Sequence, residues 1–292
     1  MTILVTGSTG TIGSLVVNGL AAKGARVRAL ARDPAKATFP AGVSTVKGDM
    51  TDVSSLRAAM EGVDTLFLLN AVTADEVTQA IIALSLARDA GIERIVYFSV
   101  FHADTYVDVP HFTGKYTAER MIEQLDLPAT ILRPNYFMQN DLSQKDMLLG
   151  NALYPMPIGE IGLSMVDVRD IAEVAIAELL RRENAPARLP RQVIELVGPE
   201  PVTATGVAKI WSDILGKPIV APKPDADAFE AKLVSFGFPS WTARDIRLMT
   251  SRFQLDGMVA TKEAVAKMTA LLGHAPRSYR DFAIEAARTW EG

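Results

Sequence analysis

The segment Val5-Thr6-Gly7-Ser8-Thr9-Gly10-Thr11-Ile12-Gly13 leaves this chain few ways to fold. An apolar stretch, Ile3 to Val5, runs directly into three glycines spaced three apart. After them Ile12, Leu15, Val16 and Leu20 recur at helical spacing. Strand, glycine turn and helix, in that order, make a cradle for a dinucleotide pyrophosphate. Gly7 permits the turn out of the strand. Gly10 lets the backbone approach the phosphates with no Cβ between, and Gly13 lets the helix pack close on the sheet. The first amides and the positive end of the helix dipole then face the anion. Gly7, Thr9, Gly10, Thr11, Ile12 and Gly13 are the candidate phosphate contacts; the competing reading is a glycine turn with no ligand.

The rest of the first half repeats the strand–helix alternation. Candidate strands are 3–6, 26–30, 44–46, 65–69, 94–98 and 129–132, with helical patterns near 12–23, 53–61, 75–90 and 114–125. Apolar strands separated by helices predict an α/β fold, a Rossmann doubly wound parallel sheet covered on both faces. Residues 141–164, rich in Gly and Pro, read as an excursion. A helix from Val168 to Leu180 and a strand from Val193 to Val197 follow, and the remainder is mainly helical. The expected division is a dinucleotide-binding domain of residues 1–140 and 164–198 and a smaller, mainly helical substrate lobe of 141–163 and 199–292, with a cleft between them.

Composition narrows the chemistry. The chain has 292 residues, 49% hydrophobic and 22% charged, with a net charge of −4. That balance gives no support for nucleic-acid binding. With no cysteine, disulfides, thiolate catalysis and cysteine-ligated zinc are excluded. The histidines are His102, His111 and His274, without metal-ligand spacing, so no metal is expected. No apolar run has the length of a membrane span, and the glycine loop leaves no room for a leader, so a cytoplasmic protein is the expectation. Monomer and homodimer both stay open.

Cofactor preference is read from the strand tips. An NAD-selective site needs a carboxylate at the second tip; here Ala31 and Arg32 occupy it, and Arg32 suits a 2′-phosphate. Lys36 adds positive charge nearby. Asp33-Pro34 reads first as a helix cap and second as a ribose ligand. NADP(H) is therefore preferred over NAD(H). Asp49 and Met50 at the third tip could take the adenine amino group and ring. Asn70 and Ser99 end the fourth and fifth strands, where tips meet cofactor.

From Ser99 the chain continues to Pro110-His111-Phe112-Thr113-Gly114-Lys115. His111 and Lys115, four apart, share a face if helical. Ser99, His111 and Lys115 match the spacing of the serine and Tyr-x-x-x-Lys of short-chain dehydrogenases, with histidine in the tyrosine position. The chain resembles the NmrA-like group of atypical short-chain dehydrogenases. The resemblance rests on Gly7 to Gly13, Arg32-Asp33-Pro34, Gly48-Asp49, His111 to Lys115, Leu132-Arg133-Pro134-Asn135-Tyr136-Phe137, Asp167 to Ala172 and Leu272 to Tyr279. That group includes quinone, azo and triphenylmethane-dye reductases and cofactor-sensing regulators. The resemblance implies that Lys115 contacts the nicotinamide ribose and that Pro134, Asn135, Tyr136 and Phe137 line the nicotinamide.

The candidate catalytic residues are Lys115, His111 and Ser99. His111 is a proton donor or a helix-start structural residue; His102 is a weaker donor candidate. Lys115 is functional or a solvated helix lysine. Phe101, Tyr136, Phe137 and Met138 are a possible stack for a flat substrate. Tyr106 enters the cleft or ties down its loop. Trp211 and Trp241 read as packing residues, and Glu119-Arg120 and Arg181-Arg182 as solvated helix faces. Three functions compete: a reductase of a small aromatic or conjugated acceptor, a non-catalytic NADP(H) sensor, and an isomerase holding its cofactor.

Overall fold

The computed structural model describes residues 1–291. Its strands are β1 (Thr2–Val5), β2 (Arg26–Ala31), β3 (Ser44–Lys47), β4 (Thr65–Leu68), β5 (Ile95–Phe98), β6 (Ala129–Pro134) and β7 (Gln192–Leu196). They form one sheet in the order β3-β2-β1-β4-β5-β6-β7. Every pairing from β3 across to β6 is parallel. β1, β4 and β5 are buried along their whole length, as expected of strands covered on both faces. The helices are α1 (Thr11–Ala22), α2 (Val53–Met60), α3 (Glu76–Asp89), α4 (Pro110–Gln124), α5 (Lys145–Asn151), α6 (Val168–Glu183), α7 (Ala204–Leu215), α8 (Ala226–Ser235), α9 (Ser240–Leu255), α10 (Lys262–Leu272) and α11 (Tyr279–Glu291).

The chain winds β1 to β2 to β3 in one direction, then returns to place β4 on the other side of β1. The carboxyl edge between β1 and β4 is therefore the switch point where doubly wound sheets bind ligands. Two side chains brace this end of the sheet. Thr6 Oγ1 donates to Leu69 O (2.9 Å) and accepts from Leu69 N (2.8 Å), and Ser8 Oγ donates to Leu30 O at 2.7 Å. Helix α4 starts at Pro110, earlier than its apolar pattern suggests. Proline suits the first helical position, where its φ is preset and its missing N–H would be unpaired anyway. His111 and Lys115 thus both lie in the helix.

The fold separates into two compact units. One comprises Met1–Ala103, His111–Arg133 and Arg169–Ile194; the other comprises Asp104–Pro110, Pro134–Val168 and the described chain from Glu195 onward. The second unit contains a 3₁₀ segment (Met138–Gln144), α5 and α7 to α11. Trp211 and Trp290 stack there at 5.0 Å with an 11° interplanar angle. Trp241, expected to pack, is 39% exposed, with Phe236 and Phe238 also exposed beside it. Its neighbour α8 buries no residue, so this end of the α8–α9 hairpin has no core to enter. Among the described residues no helix is long and apolar enough to cross a membrane.

Candidate functional site

The carboxyl ends of β2, β1, β4 and β5 bring Arg32, the glycine loop, Asn70 and Ser99 into one row, because these neighbouring strands run parallel. The loop needs its glycines. Gly7 has φ +60°, and a Cβ there would lie 2.9 Å from Leu69 O. A Cβ on Gly13 would fall 2.0 Å from Gly7 O, so only glycine lets α1 approach the turn this closely. Gly10 N donates to Gly7 O, and the first helical bond runs from Ser14 N to Gly10 O. The amides of Thr11, Ile12 and Gly13 lie before that bond and take no backbone acceptor. Gly10 supplies no side-chain cap, and no acidic residue sits in the first turn. The helix end is electropositive and uncompensated, which fits a pyrophosphate. Ile12 is buried, so only its amide is available to a ligand.

Arg32 is exposed and, among the described residues, takes no hydrogen-bond or ion-pair partner. Asp33 acts as the cap: its carboxylate accepts from Ala35 N at 3.3 Å and pairs with Lys36 Nζ at 3.2 Å. The short element it opens is a 3₁₀ turn, Pro34–Lys36. Lys36 is thus in contact with a carboxylate, while Arg32 makes no such contact and acts only at a distance, helping to lower the Asp49 carboxyl. Asp49 accepts from Thr51 N (2.8 Å) and Thr51 Oγ1 (2.6 Å), and these bonds hold its carboxyl below the usual range. Asp52, not Asp49, caps α2. Met50 is half-buried against the apolar core. Asn70 Nδ2 reaches Gln79 Oε1 at 3.4 Å, whereas its Oδ1 is buried with no hydrogen-bond partner.

Lys115 is no solvated helix lysine. It is 6% exposed, with Nζ 2.6 Å from Glu76 Oε1 and 3.4 Å from Phe98 O. Ser99 is buried, and its hydroxyl donates to Glu119 Oε1 at 2.5 Å. Glu119 also accepts a bidentate pair from Arg133, Nε at 3.0 Å and Nη2 at 2.5 Å. The Ser99 hydroxyl is therefore turned into a buried ion-pair network instead of standing open to a substrate. Glu119 is the first correction to the solvated-face expectation. Arg182 is the second: it is 1% exposed and donates to Thr130 Oγ1 (2.7 Å), Pro128 O (3.1 Å) and Pro190 O (2.9 Å). His111 is half-buried, edge-on to Phe112 at 4.6 Å. His102 sits at φ +60°, an uncommon region for a non-glycine residue, against the Phe101 ring at 4.1 Å.

Pro134 to Phe137 belong to the second unit. Asn135 Nδ2 donates to Met258 O at 2.9 Å, and Asn135 Oδ1 accepts from Tyr136 N at 2.8 Å. The Tyr136 ring lies edge-on to Phe253 at 5.6 Å, and burial raises its hydroxyl pKa. Tyr106 is buried, its hydroxyl donates to Gly257 O, and burial pushes its pKa up to about 12. It ties its segment down. Phe101 and Met138, expected in an open stack, are each buried. Glu76 and Glu119 were not among the expected site residues. Glu119 had a signal: Phe112, Ala118 and Ile122 define the buried face of α4, and positions 115 and 119 fall on it. Glu76 had none beyond being an acid in the first turn of a helix.

A family description, the NmrA-like family, matches residues 1–276. The chain belongs to the NmrA-like family. Its relatives include an NAD(P)H azoreductase of Xenophilus azovorans, 29% identical over 287 residues, covering 96% of each chain. Among solved structures, an NADPH-dependent quinone oxidoreductase of Escherichia coli complexed with NADPH aligns at a TM-score of 0.85, with 22% identity over 99% of this chain and 100% of that one. NmrA itself, a negative transcriptional regulator, aligns at 0.79, with 19% identity over 99% of this chain and 96% of that one. At such identities the two structures bear on the fold.

Proposed function

We propose that this NmrA-like chain is an NADPH-dependent reductase that passes hydride to a small aromatic or conjugated acceptor of the quinone or azo-dye kind. The observation that carries the reading is the bare, electropositive start of α1 under a glycine turn, with Arg32 unpaired one strand away. The azoreductase relative supports the reaction class. Bound nicotinamide supplies the hydride. The chain's own part is to hold it. The Thr11, Ile12 and Gly13 amides take the pyrophosphate, Arg32 takes the 2′-phosphate, Asn70 Oδ1 offers an acceptor, and Lys115 takes the nicotinamide ribose. His111, one turn before Lys115 on the same helix, supplies the proton to the reduced acceptor. With Ser99 committed to Glu119 and no tyrosine at position 111, the site suits acceptors that need little acid assistance.

The same two features favour a second reading, a regulator that binds NADP(H) without turnover. A fluorescence titration with NADPH and NADH, followed by a panel of quinones, azo dyes and enones, tests both. The reductase reading expects NADPH binding and acceptor-dependent oxidation. Tight binding of both redox forms with no turnover on any acceptor would select the regulator, and no nucleotide binding would end both.

A further inference from the structure

Glu76 lies in the first turn of α3 with its side chain 7% exposed, matched by 7% for Lys115. Isolating an ion pair from water carries a large desolvation cost for each charge, so such a pair is weak evidence of a purely stabilising role. Its orientation has a chemical consequence. An ammonium has three N–H donors. Lys115 Nζ sits 2.6 Å from Glu76 Oε1, an ion pair whose angles fall outside hydrogen-bond geometry, and donates one hydrogen bond, to Phe98 O at 3.4 Å. The other N–H groups stay uncommitted among the described residues, held in place by the charge of Glu76. On the connection between β4 and α3 that leads to Glu76, Asn70 Oδ1 is buried and unpartnered.

We infer that Glu76 is a positioning residue for the cofactor: its carboxylate, 2.6 Å away, fixes the Lys115 ammonium so that an uncommitted N–H is presented to the nicotinamide ribose. This rests on the NADPH reading above. It also redefines what Lys115 does. In a Tyr-x-x-x-Lys enzyme the lysine's charge makes the tyrosine a better acid. Here a carboxylate at 2.6 Å offsets that charge, and the tyrosine is absent. Lys115 is an orienting group, and Glu76 acts through it.

The test compares two probes on wild type, Glu76→Gln, Glu76→Asp, Lys115→Met and the double variant Glu76→Gln/Lys115→Met. The probes are NADPH and 2′,5′-ADP, which keeps the adenosine 2′-phosphate but lacks the nicotinamide ribose. Glu76→Gln is expected to weaken NADPH roughly tenfold and leave 2′,5′-ADP within about twofold. Glu76→Asp restores part of the loss, and the double variant binds no worse than Lys115→Met alone. A purely structural pair would move both probes together or neither. Equal losses for the two probes, unchanged NADPH affinity in Glu76→Gln, or additive losses in the double variant would overturn the inference while leaving the NADPH reading intact. Wild type failing to bind either probe would overturn both.

Discussion

The phosphate cradle and the surroundings of Lys115 share one edge of one sheet and are built on opposite principles. The cradle works by removing side chains: Gly7, Gly10 and Gly13 clear space, and the binding groups are backbone amides that every residue carries. The Lys115 region works by burying charged side chains in pairs, Lys115 with Glu76 and Arg133 with Glu119, with Ser99 bonded to the second pair. The first design tolerates change in composition but not in volume. The second tolerates change in volume but not in charge.

The sharpest way to break the comparison is in the cradle. Gly13→Ala puts a Cβ 2.0 Å from Gly7 O, a backbone atom that cannot move aside cheaply, whereas Gly10→Ala places one at an ordinary 3.4 Å. Gly13→Ala is expected to lower stability by upward of about 3 kcal/mol and to weaken NADPH by roughly a hundredfold or more. Gly10→Ala should keep its melting temperature and lose affinity alone. If Gly13→Ala melts and binds like wild type, the close approach of α1 to the turn is not what makes the cradle.

The matching test of the charged region is Glu119→Gln. It preserves shape and removes the carboxylate charge that Arg133 Nε and Nη2 meet in a buried site. The expected cost is about 3–5 kcal/mol, read as a lower denaturation midpoint. An unchanged midpoint would mean that Arg133 finds solvent once Glu119 is neutral.

These two designs also differ in how far they could be read from the chain. The cradle is contiguous, and nine residues carry strand, turn and helix together. Each buried pair joins residues remote in sequence, so neither partner announces the other. The stripe of apolar residues did hold part of the answer. On α4 the buried positions Phe112, Ala118 and Ile122 enclose Lys115 and Glu119; on α6 Ile171, Ala175 and Leu179 lead to Arg182. A charged residue on an apolar stripe is buried and must find a partner, and treating paired charges as a solvated face overlooks that. Glu76 and Asn70 carry no such mark. Glu119 accepts from Ser99 and from Arg133, which lies at the end of the next strand, and no spacing rule contains that convergence.

A buried carboxylate without a cation sharpens the contrast. In the second unit Asp141 accepts from Tyr279 at 2.6 Å and Tyr154 at 2.9 Å, and its Oδ1 has no hydrogen-bond partner. Burial lifts its pKa from 3.8 to about 6, and the two tyrosine bonds only partly oppose that. The native state therefore holds the proton more tightly than the unfolded chain. Its contribution to stability is complete below about pH 4 and is lost as pH rises through about 6, a change of about 3 kcal/mol. Asp141→Asn has no proton to lose. The gap between the two melting curves should open in favour of the asparagine variant between about pH 4 and pH 7. Parallel curves would show that Asp141 reaches water.

The smallest expected effect concerns Arg32, and it separates charge from scaffold most cleanly. Arg32 is exposed and unpaired, whereas Lys36 is held to Asp33 at 3.2 Å. Arg32→Ala therefore removes nothing the fold uses, and the melting temperature should stay within experimental scatter. What it removes is a bidentate donor for a 2′-phosphate. NADPH should weaken roughly tenfold while NADH is unaffected. Lys36→Ala should do less, since part of its charge is already spent on Asp33. Equal losses for both nucleotides in Arg32→Ala would show that the arginine supports the pocket generally. A Lys36 effect larger than that of Arg32 would mean that the lysine leaves Asp33 when a phosphate arrives, and would move selectivity from the strand tip to the 3₁₀ turn.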